Sequence, residues 1–115
     1  MRNSYASAET SSESFAGTFG VASNQSVIAG VAGKRIRVLG YAVQSDSATQ
    51  GIYGFINGSG GTGFSSFTAP PSSSAPFLLP LTPSGYFETS TGTGLFINVA
   101  TASVSVNIFY IVYTP

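Results

Sequence analysis

The sequence predicts an all-β protein, a jelly-roll β-sandwich of about eight strands with no significant helix. Three observations carry this reading. No window repeats apolar positions at helical spacing over ten residues. The chain falls instead into short runs that alternate with a period of two. Clusters of glycine, proline and serine separate these runs, and some connections are long enough to cross between two sheets.

Composition sets the frame. A chain of 115 residues makes one domain. With 43% hydrophobic and 13% aromatic residues it has the material for a core. Only 7% of residues are charged, against about a quarter in ordinary domains. Formal net charge is zero, so copies do not repel one another. Ser, Thr, Asn and Gly must wet much of the surface, and part of the rest is expected to be buried against other subunits. Cysteine is absent, which excludes disulfides and thiol chemistry. Residues 1–10 hold no continuous apolar run, so the expectation is a product made in a cytoplasm without a signal peptide. No apolar run approaches the roughly 20 residues of a membrane helix.

Residues 1–13 are read as a flexible N-terminal arm, and residues 14–115 as the sandwich domain. The arm is polar, carries Arg2, Glu9 and Glu13, and has Tyr5 as its one large apolar group. It is either a disordered terminus or a segment that orders on a partner with Tyr5 as anchor. A first strand places Phe15, Gly17, Phe19 and Val21 on one face. Asn24-Gln25 breaks the run, and Ser26–Val31 is a second strand. Lys34–Val43 reads as a central strand, with Ile36, Val38, Gly40 and Ala42 on one face and Arg37, Leu39, Tyr41 and Val43 on the other. Three of the four basic residues, Lys34, Arg35 and Arg37, stand at its mouth.

Gln50–Asn57 is a strand with Ile52 and Ile56 flanking Gly54, opposite Tyr53 and Phe55. Gly58–Gly61 is a loop, and Thr62–Thr68 returns extended. Pro70–Ser74 is a surface connection. Ala75–Leu81 contains Pro76 and Pro80, which place it at a sheet edge or in an extended crossover. Tyr86–Thr89 and Leu95–Val99 are short strands. Ser103–Thr114 is the last strand, and its outer face turns apolar at Phe109, Ile111 and Tyr113. That change fits a sheet end that meets another subunit, or a loop folded over it. The expected inner-face core is Phe19, Ile36, Val38, Ile52, Ile97, Val104, Val106 and Ile108.

Few residues suit catalysis. Without His or Cys the usual general base, thiolate and zinc ligands are missing. Lys34, the only lysine, sits among arginines at a turn, a poor place for a Ser–Lys pair. Asp46 and Glu88 are the only carboxylates of the body, too few for calcium and poorly suited to a glycosidase pair. Asp46 reads as a turn cap and Glu88 as the partner of a body arginine. Gly58–Gly63 has neither the helix nor the lysine of a phosphate loop. A pI near 6.0 and a small basic patch argue against nucleic acid. Lys34, Arg35 and Arg37 are better suited to cross-strand ion pairs or to acidic groups on a partner protein.

The segment Val31-Ala32-Gly33-Lys34-Arg35-Ile36-Arg37-Val38-Leu39-Gly40-Tyr41 resembles a block found in small structural proteins of tailed bacteriophages. Ser74–Phe77, Pro83–Thr89 and Gly94–Val99 resemble later blocks of that family in the same order, and the match covers about residues 15–113. The family is that of jelly-roll capsid cement, or head decoration, proteins. The resemblance implies a non-enzymatic structural protein with no cofactor, made in the host cytoplasm and located on the outer surface of the virion capsid. It implies a homo-oligomer, a trimer, that staples neighbouring copies of the major capsid protein; the residues themselves point to no nucleic acid and no membrane partner. The chain departs from the family in its Gly-rich insertion at 58–63 and its longer connection at 70–74. Candidate subunit and capsid contacts are Arg2, Tyr5, Lys34, Arg35, Arg37, Phe109, Ile111 and Tyr113. A second hypothesis is a receptor- or carbohydrate-binding jelly roll of a phage tail fibre or spike, with Tyr53, Phe64 and Phe67 as a sugar platform. A third is a hydrolase using Glu88.

Overall fold

A computed structural model describes residues 12–115. Its strands are β1 (Glu13–Phe19), β2 (Ala22–Ile28), β3 (Arg35–Ser45), β4 (Gly51–Asn57), β5 (Gly63–Ala69), β6 (Phe77–Leu79), β7 (Phe87–Glu88), β8 (Leu95–Ala100) and β9 (Val104–Tyr113). One sheet runs β1-β9-β3-β6, with β7 also paired to β3. The other runs β2-β8-β4-β5. All pairings are antiparallel, and the chain crosses between sheets at nearly every connection. This is the strand order of a jelly roll, with β6 and β7 sharing the place of one strand. Among the described residues no helix is long and apolar enough to cross a membrane.

The inter-sheet core is built from alternate residues of both sheets. Phe19, Ile36, Val38, Ile97, Val104, Val106 and Ile108 are buried there, as the alternation predicts. Ile52 is not; it is 41% exposed. Strand β4 is inverted relative to the expectation: Tyr53 and Phe55 point inward, and Ile52, Gly54 and Ile56 face away from the core. Either face of this run is apolar enough to bury. The rings win because they remove more area from water and pack edge-on against Tyr41, with centroids 6.0 Å (Tyr53) and 5.1 Å (Phe55) away. The Tyr53 hydroxyl donates to that of Tyr41 at 3.1 Å, and burial pushes both phenols up.

Strand β3 departs from strict alternation. Its register against β9 shifts between Val38 and Gly40. The extra residue reverses the parity, so Tyr41, Val43 and Ser45 join Ile36 and Val38 on the buried side. Gly40 is needed at this bulge: a Cβ there would lie 2.8 Å from the Leu79 carbonyl oxygen and 3.1 Å from the Leu81 nitrogen. The strand is central, as expected, but its outer face is only partly covered.

At the start, β1 ends at Phe19 and the chain turns at Gly20-Val21, which leaves Val21 58% exposed instead of in line with Phe19. Asn24-Gln25 does not break the chain but lies inside β2, with Asn24 within the first of its two register shifts. Asn24 takes φ 57°, a conformation asparagine tolerates, and its N–H donates to Asn98 Oδ1 at 2.7 Å. The segment with Pro76 and Pro80 supplies β6 at a sheet edge, as proline requires.

The side where β5 faces β6 and β7 is closed by rings. Phe64 stacks on Phe87 at 4.6 Å, and Phe67 on Phe77 at 5.6 Å. The inversion of β4 has a measurable consequence. In urea denaturation, Phe55→Ala should cost about 3–5 kcal/mol. Ile52→Ser, at a 41% exposed position, should cost clearly less, about 1 kcal/mol.

Candidate interaction surface

The outer face of the five-stranded sheet gathers most of the residues singled out in the sequence. The β3–β9 ladder places Arg35 opposite Tyr113 and Arg37 opposite Ile111. On its other side Arg37 faces Glu88 of β7. Paired residues in adjacent strands share a face, so one carboxylate, two guanidinium groups and a phenol converge at this end.

Glu88 is the centre of that cluster. Its Oε2 lies 2.8 Å from Arg35 Nη1, and its Oε1 lies 3.0 Å from Arg37 Nε. The Tyr113 hydroxyl donates to Oε1 at 2.8 Å. Arg37 also donates to the Tyr113 oxygen at 3.1 Å, with its guanidinium 4.6 Å from that ring's centroid. Arg35 Nε donates to Thr91 Oγ1 at 3.1 Å. Gly85, at φ 75°, lets the chain lie against Arg37, whose Cγ would be 2.6 Å from an added Cβ. Partial burial opposes ionisation of Glu88, but hydrogen bonds from Arg35, Tyr113 and Arg37 outweigh it and hold the carboxyl below its ordinary range. Hydrogen bonding to Glu88 raises both arginines. The expected pairing of Glu88 with a body arginine is thus doubled. Lys34 lies apart from the cluster and donates to Thr114 Oγ1 at 3.1 Å.

Next to the ionic end the face becomes apolar. A groove of about 480 Å³ is lined by Ser12, Arg37, Leu39, Leu81, Thr82, Pro83 and Ile111. Its wall comes from the segment after β6, tied down by Thr82 N–H to the Leu39 carbonyl at 3.0 Å. Leu39 and Ile111 are buried yet lie outside the inter-sheet core. Ile111 is therefore covered within its own chain: the loop alternative holds at that position. Phe109, by contrast, is 39% exposed, and Leu78 and Leu81 are each 62% exposed. Beyond them the face turns polar, with Thr18 and Ser105 hydroxyls 3.2 Å apart and Asp46 accepting from Ser105.

The structure therefore brings Arg35, Arg37, Phe109, Ile111 and Tyr113 onto one face, with Lys34 at its margin. Arg2 and Tyr5 lie outside the described residues. The sequence pattern does not mark Leu78 and Leu81 as surface residues of this face. Their proline-bounded segment signalled an edge, but which of its leucines point outward depends on pairing with β3. Of the expected sugar platform, Tyr53 drops out because it is 1% exposed; Phe64 is half-buried and Phe67 39% exposed, each stacked on a neighbouring ring. Asp46 and Glu88 flank opposite ends of β3, about 30 Å apart at strand rise, too far for a glycosidase pair. Among the described residues no three His, Cys, Asp or Glu side chains come together. No family model matches the chain, and no curated protein is detectably similar to it.

The Glu88 cluster dictates an acid response. A carboxyl held low in the folded state contributes stability that is complete above its unfolded pKa, about 4.3, and that is lost as pH falls through the lower folded value. Thermal melts of Glu88→Gln should show a loss of about 1 kcal/mol or less at neutral pH. The gap from the parent should narrow below pH 4.3.

Proposed function

We propose that this protein is a phage capsid cement, or head decoration, protein that oligomerises on the outer capsid surface and staples neighbouring major capsid proteins. The observation that carries the reading is the Val31–Tyr41 block. It resembles that family, and its strand supplies the ionic and apolar parts of the outer sheet face. The face has the anatomy of an interface: an apolar centre at Leu78, Leu81 and Phe109, and a rim of paired charge and hydroxyls. So few charges on a neutral chain also favour burial of this face against a copy of itself.

In this reading three copies join through the outer face of the five-stranded sheet, and the trimer meets several capsid subunits at once. Single contacts of this size are weak, but simultaneous ones multiply through effective concentration. The role is structural, without catalysis, nucleic acid or membrane. The alternative, a receptor- or carbohydrate-binding module of a tail fibre or spike, uses the same fold at another place on the particle.

Electron cryomicroscopy of particles carrying the protein separates these readings, with trimeric density on the head shell expected and density confined to the tail overturning the proposal. In sedimentation equilibrium the parent should be a trimer. Phe109→Glu, at an exposed position, should weaken association at least ten-fold while circular dichroism stays unchanged. A parent that remains a monomer at micromolar concentration overturns the oligomer reading.

A further inference from the structure

The four sheet edges are not equally protected. Strand β6 has three residues bracketed by Pro76 and Pro80. Strand β2 is broken by two register shifts. Strand β1 carries Glu13. Strand β5 pairs in unbroken register with β4 from Ser65 to Ala69, without charge or proline, its one irregularity being the extra residue at Phe64. No described strand pairs with its other side. A neutral, regular edge of this kind is a template for another strand.

Beside that edge lies a cleft of about 230 Å³ lined by Tyr41, Phe64, Phe67, Leu79, Tyr86 and Phe87. Five of its six walls are aromatic side chains, those of Tyr41, Phe64, Phe67, Tyr86 and Phe87, so a planar side chain entering it packs against rings already present. None of the lining residues is charged, and a charged side chain would be desolvated there without a partner.

We propose that the β5 edge and this cleft bind an extended, uncharged peptide segment, which adds to the sheet as a further strand and seats an aromatic side chain in the cleft. The edge supplies main-chain hydrogen bonds and the cleft supplies side-chain choice, the division of labour of strand-addition sites. An aromatic ring such as that of tyrosine suits the cleft, since the lining is uncharged and mostly aromatic. This site is separate from the outer sheet face of the oligomer reading and does not depend on it.

The test titrates the full-length, isotope-labelled protein with acetyl-Thr-Thr-Tyr-Thr-Thr-amide and follows amide and aromatic resonances. Shifts are expected at the amides of Ser65–Ala69 and at the Phe64 and Phe87 rings, with Phe109 unmoved. Ser66→Lys, at an exposed position, should weaken binding at least ten-fold, and Thr68→Lys provides a second variant should the first disturb the fold. Replacing the peptide's tyrosine with lysine should abolish binding. The absence of shifts at millimolar peptide overturns the proposal. So do ring shifts without amide shifts, which would mean a cleft that takes the side chain alone. Concentration-dependent shifts of the same amides without peptide, lost in Ser66→Lys, would assign the edge to a second copy and also overturn it. Sedimentation of the same samples reports the oligomeric state separately.

Discussion

The pairing of β3 with β9 is the constraint on which the rest of the molecule depends. It runs from Arg35 opposite Tyr113 to Ser45 opposite Val104 and joins segments about 70 residues apart in the chain. Strand β1 is held in its sheet only through β9, and β6 and β7 only through β3. Closing this long-range ladder therefore creates the sheet to which the short strands attach. The inner face of the same ladder supplies Ile36, Val38, Tyr41, Val43, Val104, Val106 and Ile108 to the core.

Because both strands are central, their outer faces lie side by side and form one surface. The bulge at Leu39 matters twice. It turns Tyr41 and Val43 into the core, and it leaves Leu39 outside, beside Ile111 and under the segment that follows β6. The ionic cluster at the end of this face is held by geometry more than by charge count. Glu88 receives two arginines and a phenol through strand register, so each hydrogen bond orients the next. Its contribution to stability is modest because the arginines remain partly solvated. Its larger effect is to fix the orientation of side chains that border the apolar groove.

The aromatic seam explains how a small sandwich with so little charge keeps its open side shut. Stacked rings from β5, β6 and β7 bridge the sheets where no backbone hydrogen bonds can. The cleft left among them and the neutral edge of β5 are products of the same arrangement. Sites of this kind are invisible in sequence, since their walls come from strands joined only by packing.

Local pattern alone was enough for the all-β class, most strand positions, the edge location of the proline-bearing segment and the pairing of Glu88 with arginine. Those features follow from side-chain period, from the missing N–H of proline and from the scarcity of carboxylates. The choice between the faces of β4 was not legible, because both are apolar and alternation then has no preferred sign, and neither was the bulge that reverses β3 after Val38. Tertiary packing decided it, through the edge-on fit of Tyr53 and Phe55 against Tyr41 and the close approach of the Leu79–Leu81 backbone over Gly40. Period two says that neighbouring side chains part company; only the opposing sheet determines which of them is buried.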